Sequence, residues 1–167
     1  MLRHVGQTPL YYNHKSNGRF IDEYYNKSAY NNYHDLPGTP LYPFGYGLSY
    51  TTFSYNNISL NKTEITINDT LEVSALLTNT GNCTGEEVVQ FYIRDKVSSC
   101  TLPVKELKGF KTVKLESGKS VNVTFIVGND ELSFYNKAGK LVVEPGEFTA
   151  YIGGNCLTEL SIDFRVL

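Results

Sequence analysis

The chain has 167 residues, 41% of them hydrophobic and 13% aromatic, enough for one well-buried domain and an appendage but not for two full-sized domains. Charged residues make up 19% and the formal net charge is -2, so there is no basic field to hold phosphates, and nucleic acid is excluded as a partner class. No apolar run reaches the roughly 18 residues of a membrane-spanning helix, and Met1-Leu2-Arg3-His4-Val5-Gly6 opens without the apolar core of a secretion signal, so no membrane partner is expected.

Residues 1 to 39 are polar and tyrosine-rich, with no helical or strand period beyond a possible short strand near Pro9 to Tyr12. A structureless stretch of this length means a functional loop, a linker, or a segment whose partner is missing, and the missing partner is the preferred reading. Within it, Arg19, Tyr33 and Asp35 are candidate substrate-binding residues, because charge-assisted hydrogen bonds and ring stacking are how side chains hold sugars. The plainer role for them is to order the segment against the missing body. His4, His14 and His34 are too far apart for a helical metal pair and have no neighbouring cysteine, so neither a metal nor a cofactor is expected.

The stretch from Pro40 to Phe53 is the centre of the organisation. Pro40 and Pro43 fix φ, Gly45 and Gly47 permit turns, and Tyr42, Phe44, Tyr46 and Tyr50 carry more apolar area than a solvated linker leaves exposed. It reads as a junction that folds back on the body that follows.

From there on, short alternating runs are separated by turn residues. Strands are predicted over Phe53 to Leu60, Leu71 to Thr78, Val88 to Ile93, Gly109 to Leu115, Val121 to Val127, Glu147 to Ile152 and Leu160 to Val166, with no helix. Val88 to Ile93, the most apolar run, is expected to be the central strand of its sheet. Period-2 alternation assigns the core to Val73, Ala75, Leu77, Val89, Phe91, Ile93, Val123, Phe125, Phe148, Ala150, Ile152, Ile162 and Phe164. About seven such strands make a β-sandwich of immunoglobulin or fibronectin type III kind, without the tryptophan of antibody domains. Cys83, Cys100 and Cys156 form no ligand or redox pattern and are expected to be free thiols. Asp22-Glu23 and Glu86-Glu87 are adjacent carboxylates that point to opposite faces of a strand, and both pairs are read as solvated surface charge.

Five stretches taken together are more specific: Gly6-Gln7-Thr8-Pro9-Leu10-Tyr11-Tyr12-Asn13-His14-Lys15 with Gly18-Arg19; the junction; Asn79-Thr80-Gly81 with Gly85-Glu86-Glu87-Val88-Val89-Gln90; Pro103-Val104-Lys105-Glu106-Leu107-Lys108-Gly109-Phe110; and Glu144-Pro145-Gly146. In this order they resemble the C-terminal end of family 3 glycoside hydrolases, β-glucosidases of the periplasmic kind. The resemblance spans essentially the whole chain. It implies that residues 1–47 are the tail of the enzyme's second domain plus connector, and residues 48–167 its fibronectin type III-like domain. The fold class is then all-β, a fibronectin type III-like (immunoglobulin-like) β-sandwich preceded by an irregular remnant of an α/β sandwich domain.

The resemblance further implies that the nucleophilic aspartate and the acid/base glutamate belong to positions before Met1. Retaining hydrolysis needs two carboxyl groups about 5 to 5.5 Å apart, so the chain by itself is expected to be inactive, with no catalytic residue of its own. Its partners would be the upstream catalytic and α/β sandwich domains, with sugar reached only through them, and the parent family is often periplasmic or secreted. The alternative is a free-standing fibronectin-like module that binds carbohydrate or protein.

Overall fold

The computed structural model describes residues 3–7, 9–15 and 38–167. In chain order its elements are β1 (Phe53–Leu60), β2 (Glu64–Ile65), β3 (Leu71–Asn79), β4 (Gly85–Asp95), β5 (Glu106–Leu115), β6 (Ser120–Val127), α1 (Asn129–Leu132), β7 (Phe134–Tyr135), β8 (Leu141–Val142), β9 (Gly146–Gly153) and β10 (Ser161–Val166). Alternation dictates the strands: along β3, Leu71, Val73, Ala75 and Leu77 turn inward while Glu72 faces water.

Two sheets form the sandwich. One has three antiparallel strands in the order β1-β3-β6, the other five in the order β2-β10-β9-β4-β5, with β2 running parallel to β10; β7 and β8 make a separate two-stranded ribbon. The seven strands of six residues or more are the seven predicted runs. Between the sheets, Phe91 of β4 stacks on Phe125 of β6 with ring centroids 4.9 Å apart, tying one inner face to the other.

Every predicted core residue is buried except Ile162, which is only partly so. β2 pairs with Arg165 and Val166 alone, so the start of β10 around Ile162 is an open sheet edge. β4 is flanked by β5 and β9 and is interior, but β9 holds the middle place that the sequence assigned to β4. β5 begins at Glu106, earlier than the expected Gly109, because a bulge sets Phe91 opposite Gly109 and Tyr92 opposite Leu107. The expected strand near Pro9 to Tyr12 is replaced by an isolated bridge between Lys15 and Pro103. The single helical turn α1 was not expected, and its Leu132 is buried in the core.

Candidate functional site

The site begins on the outer face of β4. Val89, Phe91 and Ile93 fill the inner face, yet Gln90 and Tyr92, which point the other way, are also buried, at 5% and 0% exposure. A strand buried on both faces needs a cover outside, and a buried amide and phenol need hydrogen-bond partners there. The junction supplies the cover.

Pro43, Phe44, Gly45 and Tyr46 make a tight turn in which the Tyr46 amide donates to the Pro43 carbonyl at 3.2 Å, and Gly45 takes a φ of 81°. A Cβ on Gly45 would stand 2.0 Å from Gln90 Oε1, so glycine is required there by both backbone and space. Gly47, by contrast, faces open space. Gln90 Nε2 donates to the carbonyls of Gly45 (3.0 Å) and Gly154 (2.8 Å), while Gln90 Oε1 accepts from the Tyr92 hydroxyl. One side chain thus fastens the junction, the sheet and the loop after β9 together.

Tyr12 completes the cover. Its ring stacks on Phe44 at 4.1 Å and meets Tyr92 edge-on at 6.0 Å, and its hydroxyl accepts from the Leu107 amide at 3.3 Å. The Val104 amide donates to the His14 carbonyl at 3.0 Å, so Tyr12, His14 and Lys15 have partners inside the chain. Further back, Gln7 is buried and its Nε2 donates to the Thr39 carbonyl at 3.2 Å, and Arg3 reaches Thr39 and the Pro40 carbonyl at 3.4 Å.

Lys105 braces the opposite side. Its ammonium donates to the carbonyls of Cys156 (3.1 Å) and Thr158 (2.9 Å) and sits 4.0 Å from the Tyr151 ring centroid, and burial pushes its pKa down. The Cys156 amide in turn donates to the Phe44 carbonyl at 3.0 Å. At the exit of the junction, Thr51 is buried and its hydroxyl donates to Asn79 Oδ1 at 2.6 Å; Asn79 Nδ2 then donates to the carbonyls of Cys83 and Leu115, each at 2.9 Å.

Between these fastenings the side chains point outward. Tyr42 and Tyr46 stack on each other at 5.0 Å and stay about half exposed, as does Phe44, while Leu48 is 89% and Tyr50 101% exposed. For Tyr50 this corrects the expectation that it folds back on the sandwich: the chain bends at Tyr50 and Thr51, turning the Thr51 hydroxyl in to Asn79 and leaving the Tyr50 ring in solvent.

Beside the junction lies a cleft of about 740 Å³ whose walls include Tyr46, Phe53, Tyr55, Glu87 and Asn155. Tyr55 donates to Glu87 Oε1 at 2.6 Å, and burial pushes both groups' pKa values up. Glu87 is therefore not the solvated surface charge the sequence suggested, although Glu86 is exposed as expected. The missed signal was Gln90, a polar residue inside the most apolar run, which can only be buried if something outside the strand pairs with it. Arg19, Tyr33, Asp35, His34 and the Asp22-Glu23 pair lie outside the described residues. Among the described residues no three His, Cys, Asp or Glu side chains gather as a metal site would require.

Residues 87–156 match the model of the fibronectin type III-like domain family. A β-xylosidase from Formosa agariphila is 45% identical over 92% of the chain, and a periplasmic β-glucosidase from Salmonella typhimurium 41% identical over 90%. A β-glucosidase structure from Erythrobacter marinus superposes on the whole chain with a TM-score of 0.88 at 38% identity. The chain spans only about a fifth of each of these proteins: 20% of the first two and 21% of the third.

Proposed function

Since the chain belongs to the family 3 glycoside hydrolases, as a C-terminal portion that ends in their fibronectin type III-like domain, we propose that it is the structural seat of a β-glucosidase and not itself a catalyst. It is one part of a larger multidomain enzyme. In this reading residues 1–47 close the preceding α/β sandwich domain, residues 48–167 form the sandwich, and the junction is clamped where the two meet. The parent enzyme hydrolyses terminal β-glucosyl residues with two facing carboxyl groups, both contributed by domains that this portion supports. Arg19, Tyr33 and Asp35, in the part of the sequence assigned to the preceding domain, would order that segment or reach the sugar.

The observation that carries the proposal is the junction itself, with its backbone fastened at Gly45, its Thr51 hydroxyl bonded to Asn79, and its Leu48 and Tyr50 held out in solvent. Rigid backbone with outward apolar side chains fits a surface that another part of the protein covers. The pure chain is expected to release no phenol from an aryl-β-glucoside, because positioning two carboxyl groups is the core of the reaction. Turnover that disappears with Glu86→Gln or Glu87→Gln would overturn the reading.

A further inference from the structure

The cleft shares one wall, Pro43 and Gly45 to Ser49, with the junction, and its other wall has a chemistry of its own. We propose that the cleft between the junction and β4 is a binding site for a neutral oligosaccharide, held by the Glu87 carboxylate and the Tyr46 ring.

A cleft of about 740 Å³ is within the range of small-ligand sites, which pair apolar and aromatic walls with a few convergent polar groups. Here Tyr46, Phe53 and Tyr55 give aromatic surface. Glu87 is half-buried and oriented by Tyr55, whose hydroxyl donates to Oε1, while Oε2 has no hydrogen-bond partner among the described residues. Asn155 Oδ1 is engaged by the Leu157 amide at 2.9 Å, which fixes that side chain at the rim. A carboxylate that accepts from hydroxyls, next to ring faces that pack against C–H surfaces, suits a sugar. An anion would meet Glu86 and Glu87 and is repelled.

Gly154 packs directly against Glu87, and only the absence of a side chain there leaves room for the carboxylate. A Cβ on Gly154 would stand 2.5 Å from Glu87 Oε1 and 3.4 Å from the Tyr55 hydroxyl. Gly154→Ala therefore displaces the carboxylate while meeting only Glu87 and the Tyr55 hydroxyl, and Glu87→Gln keeps its shape and its acceptor for Tyr55 while removing the charge.

The test is a titration of the full 167-residue chain with cellotetraose, followed by amide chemical shifts. Saturable shifts at Tyr46, Glu87, Gly154 and Asn155 are expected, with a Kd on the order of 1 mM. Glu87→Gln should weaken binding about tenfold or more through the lost charge-assisted bonds, and Gly154→Ala should abolish it while the shifts of β3 and β6 stay in place. Four results would overturn the proposal: no shifts, shifts mapping elsewhere, an equal response to sorbitol, or affinity unchanged by both substitutions. So would loss of the response once the chain is joined to the rest of the enzyme, since that would mean protein fills the cleft.

Discussion

Gln90 ties the junction to the sandwich, since its buried amide donates to two carbonyls in part-buried bonds and accepts from the fully buried Tyr92 phenol. Gln90→Ala leaves those groups unpaired, and an unmatched buried polar group costs about 1–3 kcal/mol. Urea unfolding of the variant should show a loss of about 2–3 kcal/mol; a loss below about 0.5 kcal/mol would mean that the junction is fastened elsewhere. Glu87 makes a separate prediction in pH. Burial raises its folded-state pKa above the unfolded value, with the Tyr55 hydrogen bond opposing in part, so the folded state holds the proton longer. Its contribution is then fully present at low pH and is lost as pH rises from about 4 through the raised value. Glu87→Gln should flatten that part of the stability curve; a slope unchanged in the variant would assign it to other groups.

At the level of the strand, alternation is legible wherever one face is wet. β3 follows it residue by residue and β6 does so from Val123 on, and Val89 and not Val88 points inward, as the parity of Phe91 and Ile93 requires. Phe91→Ala should cost about 3–5 kcal/mol, since the ring is buried and stacked on Phe125; a cost under about 1 kcal/mol would break the register. β4 shows where alternation stops being enough. At Gln90 and Tyr92 its outer face is dry because of Tyr12 and Phe44, which lie far off in sequence, and no local pattern can announce a cover of that kind. The same holds for β2 and for the β7–β8 ribbon, each only two residues long and made by pairing, not propensity. The Glu87–Tyr55 pair also spans two sheets, from β4 to β1, so it is invisible to any reading of adjacent residues.

For the whole molecule, the sandwich closes its own core without help, while the junction is only half satisfied. Its backbone is tied to β4 and to the loop after β9, its Thr51 hydroxyl is tied to Asn79, and its Leu48 and Tyr50 side chains face solvent. That division makes the seat separable from the fold. Leu48→Ser with Tyr50→Ser changes only solvent-facing groups in the chain alone, where the midpoint of thermal unfolding should move by no more than about 1 °C, in keeping with exposed substitutions. The decisive measurement repeats the pair in a chimera in which this chain replaces the corresponding fifth of a 41% identical β-glucosidase. There each side chain should be covered, at about 1.5–3 kcal/mol apiece, and the midpoint is predicted to fall by several degrees together with the retained activity. A chimera as stable and active with both serines as without them would contradict the account.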